Sequence, residues 1–397
     1  MADFRIKEED SNKIAIVAIG YNRLDSIERL LGSLLNANYS CQDVPLVISI
    51  DCSGDEGLYK YVDDFVWPFG SKYVNIQKTR LGLKNHIYQC GDLSNHFKAV
   101  IILEDDIFVS PSFYEYVNSV VDYYQDDERI GGFSLYQNEM GTPLLPRVFQ
   151  NDGSDTYLKQ SPASWGECWT KRQWSSFKQW LESFDDKDFA SVEMPEHIKK
   201  WKKAWSKYYM AYLIQTNRFF VFPYISHTTC FGDAGEHSSM VSTIGQACLL
   251  DGPKKYVFKP FDELVQYDIF GVNNAIYSWL NIPRASLHVD WAGTSPNVLR
   301  KRYVLSTQKL KYPIINSFDL SLRPIELNVK YKLAGQGIFL YDTEGRINEY
   351  ILEIPISLAY YYLRGFNIKL LWRYVFHYSY FAIKRKLRKK ISSLLRK

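Results

Sequence analysis

The chain has 397 residues and 46% hydrophobic content, enough for one large folded domain and a smaller appendage, and its net charge of +4 is unevenly held. Residues 354–397 carry eleven Lys/Arg and no acid, leaving 37 of the 48 Lys/Arg against all 44 Asp/Glu in the rest, a net −7. Six cysteines without a Cys-x-x-Cys spacing argue against a disulfide framework or zinc ribbon, the acidic body argues against nucleic acid as a partner, and no apolar run reaches the ~18 residues of a membrane span.

The N-terminus, MADFRIKEEDSNK, is polar and unlike a secretory leader, so a cytoplasmic location with reduced thiols is expected. From Lys13 to about Ile107, short β-branched runs alternate with helical stretches, as in α/β domains. The runs KIAIVAIGY, VPLVISIDCSG, KYVNIQKT and FKAVIILEDD are each apolar throughout, like parallel strands buried on both faces. Between the first two, LDSIERLLGSLLNA places apolar residues at 27, 30, 31, 34 and 35, one face of a helix. The predicted fold class is α/β, a mixed but mostly parallel sheet flanked by helices. In such sheets ligands collect beyond the carboxyl ends of the strands. The polar clusters Gly20-Tyr21-Asn22-Arg23, Asp51-Cys52-Ser53-Gly54 and Glu104-Asp105-Asp106 all fall there.

The last cluster sits in AVIILEDDIFVSP, where a buried run ends on three carboxylates. Like-charge repulsion and desolvation oppose such a cluster, and a divalent cation reverses the balance. Mg²⁺ and Mn²⁺ prefer carboxylate oxygen and leave positions open for phosphate, so the cluster suits a metal that holds a nucleotide diphosphate. The other reading is acids placed before a helix dipole. The helix predicted over SFYEYVNSVVDYYQDD begins after Pro111, which places Asp105 and Asp106 badly to cap it.

Further along come a predicted strand, GGFSLY, a loop from about Asn138 to Gln160, and SPASWGECWTKRQW, a Trp-rich turn entering a helix. After a long helical region, FFVFPYISHTTCFGDAGEHSS ends in a Gly-rich loop. Three regions are expected: 1–255 as the main domain, 256–353 as an accessory region of no assigned role, and 354–397 as an aromatic and basic tail.

LEDDIFVSPSFYEYVNSVV resembles the metal-binding strand and helix of nucleotide-sugar glycosyltransferases with the GT-A fold, above all N-acetylglucosaminyltransferase I. In the same order, VISIDCSGDE resembles the strand whose Asp contacts uracil, SPASWGECW the acceptor-side Gly/Trp turn, and PYISHTTCFGDAG the loop that closes over the donor. The Trp-Gly-x-x-Trp feature is also similar to bacterial family 2 enzymes that build lipopolysaccharide and capsule. Coverage is about residues 12–240.

The resemblance implies inverting, metal-dependent transfer from a UDP-sugar to a hydroxyl of a glycan acceptor in bacterial surface polysaccharide or lipopolysaccharide synthesis. By it, Asp106 would coordinate Mn²⁺ or Mg²⁺ across the two phosphates. Asp105 would bind the ribose or donor sugar, Glu104 would orient that sugar, and Asp51 would accept a hydrogen bond from the uracil imide. Ala18 to Arg23, Gly20 and Tyr21 among them, would line the base and ribose pocket. Arg80 and Lys84, in TRLGLKNH, either meet phosphate or the uracil pocket or are solvated loop cations. Trp165 and Trp169 either stack on an acceptor sugar or fill the core.

The catalytic base departs from the family pattern. Counted back without gaps from Phe231-Gly232, the family's Asp falls on Lys207 and the preceding acid on Ser206, and a protonated lysine accepts no proton. Glu167 in SWGEC is the first substitute, or else a helix N-terminal acid; Asp233 and Glu236 in FGDAGEH follow, with His237 assisting or binding phosphate. His227, Cys230 and His237 match no standard zinc spacing.

Segment 358–397 begins dense in aromatics and ends dense in cations, the pairing of interfacial membrane segments. It is expected to hold the enzyme peripherally on the cytoplasmic face of the inner membrane, where lipid-linked acceptors are presented; otherwise its aromatics pack on the body. Two rival functions remain. One is a catalytically decayed glycan-binding or scaffolding protein, suggested by Lys207. The other is a sugar-phosphate nucleotidyltransferase, for whose phosphate loop GYNRLDS has too little glycine.

Overall fold

The computed structural model describes residues 6–39, 43–137, 148–202, 204–235, 245–291, 301–345, 361–363 and 367–394. The chain divides into two compact units, Met1–Pro283 and Arg284–Lys397.

The first unit opens with β1 (Ile14–Gly20), α1 (Leu24–Leu35), β2 (Leu46–Ile50), α2 (Glu56–Asp64), β3 (Lys72–Ile76), α3 (Leu83–Asp92) and β4 (Ala99–Glu104). All seven β1 residues are buried because each face of the strand has its own cover. Ile14, Ile16 and Ala18 meet Ile27, Leu30, Leu31 and Leu34 of α1, while Ala15, Val17 and Ile19 meet the α3 side. Four of the five residues of the predicted α1 face are thus buried, Leu35 being 38% exposed, and each of the four contributes roughly 1.5–3 kcal/mol by leaving water.

There follow β5 (Ile107–Val109), α4 (Phe113–Tyr124), β6 (Ile130–Ser134), β7 (Thr156–Lys159), β8 (Glu167–Thr170), α5 (Lys171–Glu182), α6 (Glu196–Lys199), α7 (Trp205–Gln215), β9 (Phe219–Pro223), β10 (Thr228–Cys230) and β11 (Gln266–Tyr267). The main sheet has nine strands in the order β11-β7-β9-β6-β8-β4-β1-β2-β3. Five of its eight neighbouring pairs are parallel, so the mixed, mostly parallel sheet with flanking helices expected from the sequence is present. Separately, β10 pairs antiparallel with β5, Cys230 opposite Ile107.

Three local expectations differ from what is observed. The stretch Asn138 to Gln160 contains β7, a fully buried strand antiparallel to β9; residues 138–147 lie outside the described residues. Glu167 begins β8, antiparallel to β4 and β6, rather than a turn entering a helix. The helix starts afterwards, with Thr170 as its N-cap and Gln173 closing the capping box. The first unit also runs past residue 255 to Pro283, because β11 pairs with β7 and Phe258 packs on Tyr123 and Tyr124 of α4.

The second unit holds a four-stranded sheet, β12 (Leu287–Asp290), β13 (Tyr303–Ser306), β15 (Ile338–Asp342) and β14 (Ile314–Phe318) in that order, and a tail helix, Ile368–Leu394. Trp372, Tyr374, Phe376, Tyr378 and Phe381 on that helix are 63–78% exposed. Among the described residues no helix is long and apolar enough to cross a membrane.

Candidate active site

Strand order runs 3-2-1 and then jumps to 4, so the connections leave β1 and β4 in opposite directions and open a crevice at their carboxyl ends. A cavity of about 290 Å³ lies there. Gly20, Tyr21 and Arg23 line it from the end of β1, Asp51 from β2, and Glu104, Asp105 and Asp106 from β4. A Cβ on Gly20 would come within 3.0 Å of Ile50 Cδ1, so glycine leaves the strand uncrowded where it passes the opening.

Asp51 is tied into the backbone. Its Oδ1 accepts from the Cys52 and Leu81 N–H groups at 2.9 and 2.8 Å, and its Oδ2 from the Gly82 N–H at 2.9 Å, which fastens the end of β2 to the start of α3. A carboxylate offers about four acceptor positions, so Oδ2 retains one for a ligand. His86, one turn into α3, also lines the cavity and shares a 2.7 Å hydrogen bond with Ser49 Oγ. Burial pushes its pKa down to about 4, the nearby Asp51 charge offsetting only part, so the ring is neutral at pH 7. Sequence reasoning missed this residue. Its signal was a histidine one helical turn past Gly82, beside the polar Ser49 in an otherwise apolar strand.

The three acids share one arginine. Arg23 donates from Nε to Asp105 Oδ2 at 3.1 Å and from Nη2 to Asp105 Oδ1, reaches Asp106 Oδ2 at 3.5 Å, and donates to the Asp233 carbonyl at 3.2 Å. Burial pushes Asp105 up to about 6 even with this partner. Glu104 has burial and then the charges of Asp106 and Asp105 against it, offset in part by Arg23, and rises to about 8. The cluster therefore carries more negative charge than its protein partners neutralise. That excess, on hard oxygen donors, fits Mg²⁺ or Mn²⁺. Among the described residues no three His, Cys, Asp or Glu side chains converge on one point. The ion would be held by Asp106, whose carboxylate meets Arg23 Nη1 at 3.5 Å and the Cys230 thiol, with the ion's other positions left to phosphate oxygens and water. The loop after β10 is fastened at the same place, Phe231 N–H donating to the Asp106 carbonyl at 2.9 Å.

Arg80 and Trp165 also reach the cavity, the Arg80 guanidinium 4.8 Å from the Tyr21 ring centroid. Gly166 beside Trp165 has φ +105°, and a Cβ there would stand 2.9 Å from Thr228 Cγ2; the turn requires glycine on both counts.

Several expected residues lie elsewhere. Ala18 is buried in β1 behind the opening. The Lys84 ammonium sits 3.8 Å from the Tyr208 ring centroid and does not line the cavity. Trp169 is 0% exposed and enclosed by Trp174, Trp205, Tyr209 and Phe220, so it offers no ring face to an acceptor. Glu167 is 1% exposed, and neither carboxylate oxygen has a hydrogen-bond partner among the described residues. The β8 register sets it opposite Ile102, on the same sheet face as Glu104 and deeper. Burial first, and then the Glu104 charge, drive its pKa far up; it is a neutral acid and no base for a substrate hydroxyl. Asp233 fails for the opposite reason. Burial alone would raise it, but bonds from Arg29 and from Ser26 Oγ (2.8 Å) outweigh that and hold it below the ordinary aspartate value. Glu236 and His237 lie outside the described residues.

Lys207 is 8% exposed, its ammonium 3.7 Å from the Phe189 ring centroid, and it does not line the cavity. His227 stacks on Tyr116 at 4.3 Å in the core, where burial takes its pKa down to about 3. Cys230 lines the cavity as a thiol that burial pushes up to about 12.

No protein-family model and no curated protein matches the chain. Solved structures do. S. aureus TarS 1-349 in complex with UDP-GlcNAc is 15% identical with a TM-score of 0.37, over 58% of this chain and 61% of that one. GalNAc-T7 with UDP, GalNAc and Mn²⁺ is 14% identical with a TM-score of 0.36, over 54% and 43%. The mannosyltransferase PcManGT from Pyrobaculum calidifontis, in complex with GDP-Man and Mn²⁺, is 15% identical with a TM-score of 0.26, over 35% and 39%. This chain thus spans about three fifths of the length of the TarS fragment and less than half of the other two.

Proposed function

We propose that the chain is a glycosyltransferase that moves a sugar from a UDP-sugar to a hydroxyl of a glycan acceptor, with inversion and with dependence on Mg²⁺ or Mn²⁺. The observation that carries this reading is the meeting of Asp51 with the Glu104-Asp105-Asp106 cluster in one cavity at the β1/β4 crevice. The open lone pair of Asp51 Oδ2 would take the uracil imide N–H, and Gly20 and Tyr21 would bound the base and ribose. Asp105, oriented by the Arg23 fork, would hold the ribose or donor sugar, and Glu104 would orient that sugar. The cation on Asp106 would offset the charge of the departing diphosphate.

The acceptor oxygen attacks the anomeric carbon as the bond to UDP breaks, UDP leaving with the electron pair. Trp165 would carry the acceptor ring. With Glu167 and Asp233 set aside, Glu236, the chain neighbour of cavity-lining Gly235, is the remaining acid of that loop to take the hydroxyl proton. The exposed aromatics of the tail helix and the cations that follow them in sequence support a place at the inner-membrane surface, on a lipid-linked acceptor of polysaccharide or lipopolysaccharide synthesis.

Calorimetric titration with UDP tests this, in Mn²⁺ and then in EDTA, for the parent and for Asp106→Ala. Binding that needs both the metal and Asp106 is expected; no binding of UDP under any condition overturns the reading.

A further inference from the structure

Beside the cavity, α3 and α7 bring together two lysines for which the donor site has no use. Lys84, in the first turn of α3, sets its ammonium 3.8 Å from the Tyr208 ring centroid and 5.8 Å from that of Tyr88. Lys207, in the first turn of α7, lies over Phe189 and donates to the Trp201 carbonyl at 3.2 Å. Neither ammonium has an ion-pair partner among the described residues. The acid nearest in effect, Asp186, is engaged by the Tyr208 hydroxyl at 2.6 Å. Burial pushes the Lys84 pKa down, Asp186 offsets part of that, and the Lys207 charge pushes it down again. Just before Lys207 the chain reads Lys199-Lys200-Trp201-Lys202, with Lys200 and Lys202 exposed and Trp201 40% exposed. Of these cations Lys199 is paired, with Glu196 at 3.1 Å.

Two like charges drawn partly out of water cost free energy unless an anion joins them. A phosphate fits, because it carries the charge and the acceptor oxygens for two ammonium groups, and lysine binds phosphate as a point charge. Leu83, the residue before Lys84, lines the cavity, so the pair stands at its α3 side while Lys84 itself stays out of the lining. We propose that Lys84 and Lys207, rimmed by Lys200, Trp201 and Lys202, form a subsite for a phosphate group carried by the acceptor. The word acceptor rests on the donor reading of the cavity; the anion site does not.

The test is calorimetry of the full chain with inorganic pyrophosphate in EDTA, which keeps a metal-dependent donor site out of play. The parent is expected to bind. Lys84→Gln and Lys207→Gln should each weaken binding about tenfold or more, as loss of a charged hydrogen-bond donor does, and Lys84→Arg should retain it. Thermal melting checks each fold; should Lys207→Gln fail to fold, the Lys84 pair of variants decides. No pyrophosphate binding by the parent, or binding that the glutamine variants leave unchanged, overturns the site. Phosphatidylglycerol vesicles that sediment the parent but not Lys84→Gln, and are not displaced by pyrophosphate, would give the patch to lipid and overturn the acceptor assignment. Pyrophosphate binding lost in the variants, with no UDP binding by the parent, would keep the anion site and remove the donor reading.

Discussion

Two buried ionisable side chains next to the cavity make opposite demands on pH. His86 is neutral in the fold, with a pKa of about 4 against about 6.5 when unfolded. Between those values the unfolded chain binds the extra proton, so stability falls as pH drops from about 6.5 towards 4, by up to about 3 kcal/mol. Glu167 is the reverse case, a carboxyl whose pKa is raised by folding. Here the folded state keeps the proton, and stability declines as pH rises above the unfolded value of about 4.3, at up to about 1.4 kcal/mol per unit. Urea unfolding of Glu167→Gln at pH 5 and pH 8 should show that the parent loses more stability over that interval than the variant; equal losses would count against a protonated Glu167. The same substitution should leave UDP release within about threefold of the parent, since a neutral buried acid removes no substrate proton. The acids at the strand ends were legible because strand polarity and like-charge cost are properties of the sequence. Whether Trp169 and Glu167 face the cavity or the core depended on which side of a short strand each occupies, which no local pattern recorded.

That strand is the lesson at the scale of the element. β1, β2 and β4 announce themselves by five to seven consecutive buried residues, apolar except for Ser49. β7 and β8 have four residues each, too few for alternation to stand out, and β8 runs straight into a capped helix whose signal is stronger than its own. The Trp165-Gly166 turn holds β8 in place. Gly166→Ala must accept a positive φ and a 2.9 Å contact with Thr228, and is expected to cost roughly 1–3 kcal/mol, read as a lower urea midpoint at unchanged slope. On α1, Leu30→Ala empties a fully buried position between helix and sheet and should cost about 2–5 kcal/mol in the same measurement.

At the scale of the molecule, charge is segregated along the chain, a net −7 before residue 354 against eleven cations and no acid after it. If the tail serves as a membrane contact, removing residues 368–397 should release the protein from phosphatidylglycerol vesicles and leave Mn²⁺-dependent UDP binding intact; raising salt should act in the same direction on the parent, because exposed cations are screened over about 10 Å at 0.1 M. The composition shift made the tail legible, whereas the accretion of residues 256–283 onto the first unit was not, since it rests on a two-residue strand and scattered aromatics.

Asp51 adds a constraint on how such a molecule can change. Three backbone amides from two segments end on its carboxylate, so the group that the proposed reading offers to the nucleobase is also the knot that anchors the first turn of α3. A lineage seeking a different nucleotide could not exchange this side chain without unfastening a helix that carries His86 at the same cavity. On that reading, base preference would be inherited with the architecture.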